Sequence, residues 1–499
     1  MTAARTLSKS QYLKGLQCPK RLWYSRHRKD LTPETDAATQ ARFDTGDKIG
    51  ALAQQYFQDG ELVSNEYWDI QGAIDSTRHF IKQGYIAIFE ATAAHPVTGA
   101  YGRIDILQKT DDGKAWNLIE VKSSTSVKDY HIADIAFQYH VFNGAGYNIR
   151  GCYMMLIDKT YVRNGGIDPQ ALFCFEDVTS QVLGQQDETE YWATQLGYVL
   201  AQKREPSVDI GARCFAPFEC EFRHHCWRHV PGYSIFNVIN KAKAERLAQH
   251  INSYDILKIP PEKMPGGRKA IDIACYREDR LNIDIKNLQE FLQTLEYPLY
   301  FLDYETVMSA LPVYDGTSPY QQIPFQFSLH IQDAPDGETR HLEYLHTEYT
   351  DPRVPLAEKL IEACGKKGSI IVYNQSFEIN RNKEIAEDFP DYTDDMLALN
   401  TRVIDIMAPF QKRWLYQPSQ HSSHSIKAVL PAFVPDLSYD GMTISNGGTA
   451  MDQYLCFLQG QMSPEEQNKL WDSLSKYCEL DTYAMVELLR VIREYAHNQ

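Results

Sequence analysis

Apolar and polar positions along this chain follow two periods, and the changes from one to the other mark its elements. Around residue 105 the period is two. Tyr101, Arg103, Ile104, Ile106 and Leu107 outline a strand over 102–108, and Trp116 to Val121 outline another. Asp111-Asp112-Gly113 between them is a hairpin turn signal. Further strands are read over 85–91 and 152–157. Helical periodicity covers 8–28, 43–57, 130–143 and 191–203, with Pro19 expected to kink or interrupt the first of these. Alternating elements of this kind predict an α/β domain. Residues 236–290 read as a helical connector, broken most clearly by the Pro- and Gly-rich run 259–267. A second α/β region begins near Pro298, with strands over 300–306, 325–331, 342–346 and 369–373. Helices are expected over 355–364 and from Asn374 onward, and a short apolar element over 403–407. Ser463-Pro464-Glu465-Glu466 is a capping box with proline at the first helical position. The domain expectation is therefore 1–235, a connector over 236–290, and 291–499.

Length and composition narrow the class. With 499 residues, 43% of them hydrophobic and 12% aromatic, the chain has material for two or three packed cores and is not disordered. No apolar run approaches the roughly 18 residues of a spanning helix, and the N-terminus lacks a signal-peptide core. The expectation is a soluble cytoplasmic protein with no membrane partner. In that compartment the ten cysteines are thiols or metal ligands rather than a disulfide framework. The net charge of −16 argues against a general polyanion binder. The charge is uneven, however: residues 1–240 carry 25 basic and 28 acidic side chains, and 241–499 carry 25 and 38. Residues 1–29 hold eight basic side chains and no acidic one, so a local basic arm could still meet nucleic acid.

Three groups of residues carry candidate chemistry. Glu120 and Lys122 are two apart on a strand and share a face, and the hairpin brings Asp105 alongside them. Two carboxylates and an ammonium together are costly unless something such as a divalent cation needs them. Cys214, Cys220 and Cys226, each six apart in an aromatic segment, have ligand-like spacing. Cys18 is the best fourth candidate, with His224 or His225 as the alternative for a zinc site. In the second region Asp303 and Glu305 share a strand face, and Tyr477 and Asp481 share a helix face.

Asp105…Glu120-Val121-Lys122 resembles the D…(D/E)-x-K signature of the PD-(D/E)XK nucleases. With one cysteine upstream and three downstream it resembles the RecB-like branch. That resemblance implies a 4Fe-4S cluster on Cys18, Cys214, Cys220 and Cys226 that pins the ends of the domain together, with Zn²⁺ as the alternative. It implies metal on Asp105 and Glu120, with Lys122 positioning water or offsetting phosphate charge. Two departures are visible. Gln138 is followed by Phe142 where the branch has tyrosine, and Gly50 follows Gly46 where it has a metal-binding histidine. Glu90 on a neighbouring strand is read as a strand-end charge, with compensating ligation as the alternative.

The second region resembles a DEDD 3′–5′ exonuclease of the RNase-H-like fold, in its tyrosine variant. Asp303-x-Glu305, Asn374…Phe377-Glu378 and Tyr477-x3-Asp481 match its motifs in order, with glutamate at 378 in place of aspartate. Asp405 and His424-Ser425-Ile426-Lys427 lie between them. The resemblance implies two Mg²⁺ or Mn²⁺ ions gathered by Asp303, Glu305, Glu378 and Asp481, with Tyr477 orienting the attacking water. The whole arrangement resembles an uncharacterised prokaryotic family that joins the two domain types. It implies a metal-dependent nuclease with one or two active sites, exonucleolytic, acting in defence or repair. The expected partner is single-stranded or frayed DNA, with RNA second. Trp23, Tyr24 and Phe325 are candidate base-stacking side chains, with core packing as the plainer reading. The alternative is a catalytically degenerate nucleic-acid-binding scaffold, or a subunit of a defence or repair complex.

Overall fold

The computed structural model describes residues 7–34 and 37–497. The chain is α/β and divides into two compact units. One comprises the residues up to His229 together with Ala310–Tyr320, and the other Val230–Ser309 together with the residues from Gln321. The stretch expected as a separate connector packs with the second unit, and its helices include Lys241–Ile251, Arg268–Glu278 and Ile285–Gln293. Among the described residues no helix is long and apolar enough to cross a membrane.

The first unit is built on a six-stranded sheet in chain order: β1 (Gly60–Leu62), β2 (Ala87–Ala94), β3 (Tyr101–Lys109), β4 (Trp116–Lys122), β5 (Ile149–Ile157) and β6 (Phe173–Asp177). β2, β3 and β4 form an antiparallel meander. β5 lies parallel to β4, which requires a crossover. Helices α1 (Lys9–Gln17), α2 (Pro19–His27), α3 (Ala37–Tyr56), α4 (Ile70–Gln83) and α5 (Asp129–Gly144) surround the sheet, and α5 is that crossover. The expected single kinked helix over 8–28 is two helices. Cys18 is extended between them at φ −162°, and Pro19 opens the second, where its missing N–H costs nothing. Ser8 caps α1: its Oγ accepts from Gln11 N (3.2 Å) while Gln11 Oε1 accepts from Ser8 N (3.0 Å). Apolar residues fill both faces of the sheet. Leu118, Met154 and Leu156 pack with Ile135, Phe137 and Leu196 on one, and Phe89, Ile106, Ile119 and Met155 with Ile49 and Ala53 of α3 on the other.

The second unit has a small antiparallel pair, β7 (Asn282–Ile283) with β13 (Leu415–Tyr416), and a five-stranded sheet. That sheet consists of β8 (Leu299–Val307), β9 (Ile323–Gln332), β10 (Thr339–Leu345), β11 (Ser369–Val372) and β12 (Val403–Asp405), ordered β10-β9-β8-β11-β12. β8, β9 and β10 are an antiparallel meander, and β11 and β12 run parallel to β8. One face carries Tyr300, Leu302, Tyr304, Phe327 and Leu329 into a core shared with the helix Arg353–Cys364. The long helix Pro464–His497 packs on β8 and β9. On that side Ser328 Oγ and His330 Nδ1 bond Thr482 Oγ1 of the helix at 2.7 and 2.8 Å.

Candidate functional site

The larger concentration of carboxylates lies in the second unit. Asp303 and Glu305 are two apart on central β8, so they leave the sheet on one face. Opposite them across the ladder stand Ser328 and Gln326, both fully buried. The helix Pro464–His497 brings Tyr477, Cys478 and Asp481 to the same place. Asp303, Glu305, Tyr477 and Asp481 line one cavity of about 390 Å³, together with Tyr373, Phe377 and the glycines at 447 and 448. Ligand atoms of Asp303, Glu305 and Cys478 lie within 4.8 Å of one another. The Cys478 sulfur is 4.0 Å from Asp303 Oδ2.

Such crowding raises the cost of ionisation. Burial, then Asp481, Glu305 and Glu378, lift Asp303 well above the carboxylate range. Burial and Asp481 push Glu305 up to about 8, with Lys427 opposing. Asp481 rises by burial to about 6, held back by hydrogen bonds from Tyr439 and Tyr477 and by Lys427. The Tyr439 hydroxyl donates to Asp481 Oδ1 at 2.5 Å. Lys427 Nζ lies 5.5 Å from the Tyr439 ring and 5.8 Å from the Tyr477 ring and donates to the Ser445 carbonyl.

Glu378 departs from the expected set. It is 1% exposed on the helix Gln375–Asp388, and its Oε2 has no hydrogen-bond partner. It reaches Asp303 electrostatically but is not among the cavity's lining residues. Burial pushes it up to about 8. Asp405 does something else: its carboxylate accepts from the backbone N–H groups of Asn374 (3.1 Å), Gln375 (3.2 Å) and Met407 (2.9 Å). It thereby holds Asn374 in a left-handed conformation at φ 79° and satisfies the start of the helix behind Glu378. Tyr439 and Cys478 carried no sequence signal, because nothing in their spacing announces a shared site.

In the first unit β3 and β4 hold Asp105, Glu120 and Lys122, and extending the Ile106–Ile119 register places Asp105 across from Glu120. Asp105 Oδ2 accepts from Val121 N at 2.7 Å. Glu120 is 1% exposed and already satisfied. Its Oε1 meets both Lys9 and Lys122 at 2.7 Å, and Gln138 donates to Oε2 at 2.6 Å. Lys122 also meets Asp134 at 2.6 Å. Burial alone would raise Glu120 and lower Lys122, but their mutual attraction, with Lys9 and Asp134, reverses both. Asp105 has less compensation: burial and Glu120 push it up to about 8. Lys9 and Asp134 are absent from the expected set. Asp134 was in principle visible, four residues before Gln138 on one helix face. Lys9, 111 positions from Glu120, was not.

Asp105, Lys122 and Glu90 line a cavity of about 490 Å³ with Gly46 and Gly50. Added Cβ atoms at those two glycines would meet nothing within 4 Å, so side-chain room remains where a histidine was expected by resemblance. Glu90 is more than a strand-end charge. The ladder pairs Phe89 with Ile106 and Ala91 with Ile104 without a register shift, so Glu90, at φ 55°, stands within β2 across from Asp105. Phe142 is fully buried core.

Cys18, Cys214, Cys220 and Cys226 line one small cavity with Tyr24 and Phe222, and neither His224 nor His225 joins them. His224 Nδ1 is instead 3.0 Å from the Glu221 carbonyl. The aromatics named as base-stacking candidates are core, as the plainer reading had it. Trp23 and Tyr24 pack with Phe222 against Cys220 and Cys226, and Phe325 stacks at 3.7 Å on Tyr454.

Residues 300–425 match a family described as a domain of unknown function (DUF2779). The match holds Asp303, Glu305 and Glu378 and ends before Lys427, Tyr477 and Asp481. An uncharacterised protein of Mycoplasma pneumoniae is 25% identical over 239 residues, 44% of this chain and 36% of its own length. One of Mycoplasma genitalium is 26% identical over 212 residues, 39% and 32% of the two chains. One of Ureaplasma parvum is 24% identical over 242 residues, 44% and 34%. These similarities support an uncharacterised prokaryotic family. The chain spans about a third of the length of these curated relatives.

Proposed function

We propose that the second unit is a divalent-metal-dependent nuclease that hydrolyses nucleic acid from its ends, DNA before RNA. The observation that carries this reading is the cavity where Asp303, Glu305 and Asp481 meet, with carboxyls held above their ordinary range by burial and by one another. A buried set of this kind is unfavourable when ionised unless cations enter. The donor chemistry, oxygen with one sulfur close by, fits Mg²⁺ and fits Mn²⁺ better. Bound ions supply an activated water and charge relief at the leaving oxygen. The chain's own contribution is positional. Tyr439 and Tyr477 hold Asp481 by hydrogen bonds, and Lys427 offsets the charge of Glu305 and Asp481. Tyr477, its hydroxyl pushed further up by burial and Asp481, stays protonated, gives its one O–H to Asp481 and orients water as an acceptor through its oxygen. A meander continued by two strands parallel to its first, as in β10-β9-β8-β11-β12, is the sheet order expected of an RNase-H-like domain and supports the reading.

In the first unit the succession of α3, the β2-β3-β4 meander, α5 and β5 supports a PD-(D/E)XK domain of the RecB-like kind. The four cysteines around one cavity support a bound metal group there. Four thiols without a histidine suit either a tetrahedral zinc or an iron–sulfur cluster, and the resemblance to the RecB-like branch favours the cluster. A second reading, of the first unit as a non-catalytic scaffold, is favoured by Glu120, whose oxygens are taken by Lys9, Lys122 and Gln138.

The test is incubation of the full chain with end-labelled single-stranded DNA and RNA, with Mn²⁺ or with chelator. Mn²⁺-dependent shortening is expected from wild type and from Lys122→Ala, and its loss from Asp303→Ala. Unchanged shortening by the Asp303→Ala, Lys122→Ala double variant would remove the assignment.

A further inference from the structure

A groove of about 840 Å³ runs over the first unit between α1, the start of α5 and the loop at 213–218. We propose that it is a track for a single strand of nucleic acid, a reading that rests on the PD-(D/E)XK reading of the first unit above and names its substrate form. The groove is mainly apolar, but its charged residues are one-sided. Lys14, Arg21, Lys128 and Arg213 line it, against Asp129 alone. Lys14 and Arg21 are held by Glu221 at 3.0 and 2.6 Å, and counting that carboxylate still leaves four cations to two anions. In a chain of net charge −16 such a local excess is a departure that phosphates would use.

The apolar part is aromatic and open. Phe218 is 46% exposed and meets Tyr130 edge-on, ring centres 4.8 Å apart. Lys128 Nζ lies 5.8 Å from the Tyr130 ring, so a base on that ring would have a cation beside its phosphate. Unpaired bases offer faces to such rings, whereas a duplex keeps them stacked inside. The loop is held in place by Gln17, whose Nε2 donates to the carbonyls of Arg213 (2.7 Å) and Phe218 (2.6 Å). The track also has a direction. Ser10 and Ala133 line the groove, and their chain neighbours Lys9 and Asp134 belong to the charge cluster around Glu120. Phe218 also borders a second cavity of about 810 Å³ that carries Arg42, Arg223, Arg228 and Trp227 with Glu219 and Glu221. A strand on Phe218 and Tyr130 would therefore lead one of its phosphodiesters toward Glu120 and Lys122.

The experiment is fluorescence anisotropy of the full chain, in chelator so that nothing is cut. The probes are labelled oligothymidylate and oligouridylate of about ten nucleotides, and a duplex of equal length. Both single strands are expected to bind at least about tenfold tighter than the duplex. The Tyr130→Ala, Phe218→Ala double variant is expected to weaken single-strand binding about tenfold, the loss of about one stacked base. Lys128→Glu, at an exposed position outside the core, should weaken it severalfold and flatten its salt dependence. Equal affinity for the duplex, or wild-type affinity in both variants, would overturn the proposal. So would an acidic peptide that competes with the same sensitivity to Tyr130 and Phe218, since the groove would then serve a protein. Mn²⁺-dependent cutting, measured on the same preparations, separates the two readings. Binding that depends on Tyr130 and Phe218 without any cutting sinks the nuclease reading alone, and cutting with groove-independent binding sinks the track alone.

Discussion

Glu305 is a carboxyl that this fold makes costly to ionise. Burial and Asp481 raise it from 4.5 to about 8. A raised acid stabilises the fold while protonated. As pH rises through about 4.5 the unfolded chain releases the proton first, and stability drains until the folded group ionises near 8. The expected outcome is a metal-free chain whose Tm falls across that window, with a shallower fall for Glu305→Gln. Mn²⁺ should raise the wild-type Tm more at pH 8 than at pH 5, because at the lower pH it competes with bound protons. Thermal denaturation of both proteins, with chelator and with Mn²⁺, checks this. A Glu305→Gln chain with an unaltered pH slope would show that the carboxyl is already ionised in the fold.

At the scale of elements, two helix arrangements carry the sites. α1 and α5 meet the β4 strand through ion pairs among Lys9, Glu120, Lys122 and Asp134, with Glu120 and Asp134 both almost fully buried. Removing one partner leaves a buried charge uncompensated, which costs about 3–5 kcal/mol. Lys122→Met is therefore expected to destabilise the metal-free first unit by about 3 kcal/mol, and Glu120→Gln added to it should recover part of the loss. Chemical denaturation of Lys122→Met, of Glu120→Gln and of the double variant measures that coupling. The helix Pro464–His497 begins at Ser463, whose N–H and Oγ–H both donate to Glu466 Oε2 at 2.8 Å. Ser463→Ala should cost about 1 kcal/mol. Metal binding at Asp481 should be unchanged, because the cap lies several turns before Tyr477. A Tm shift without a change in Mn²⁺ titration is the expected result.

At the scale of the whole molecule, the cysteine cavity joins chain segments far apart: Cys18 precedes α2, and Cys214, Cys220 and Cys226 follow the helix Gln186–Ala201. A group bound there closes a loop of nearly 200 residues, worth about 5 kcal/mol in a chain-entropy estimate for loops of that order. The purified chain is expected to be brown, with absorbance near about 400 nm as for iron–sulfur centres. Cys18→Ser should be paler and should melt earlier in the first unit alone. A colourless wild type containing zinc would instead assign the site to a single ion.

How much of this was legible follows from the range of the forces involved. A period-two run marked β3, because side-chain alternation is local, while β8 and β9, buried on both faces, were legible as short, largely apolar runs. The capping box at Ser463 and the break at Pro19 are likewise written within four residues. The grouping of Asp303 with Glu305, and of Glu120 with Lys122, followed from spacing alone. The short strands β1 and β6 were missed because their pairing partners hold them, whereas α4 and the helix Gly447–Leu458 were missed although each carries a local cap, Asp69 and Asn446. What the sequence by itself determined was the two α/β units and the acids on each central strand. Only the tertiary structure decided that Lys9 fills the place beside Glu120, that Tyr439 holds Asp481, and that Glu378 stands back from the cavity. Those contacts are set by electrostatics and burial across tens to more than a hundred residues of chain, distances over which no local pattern survives.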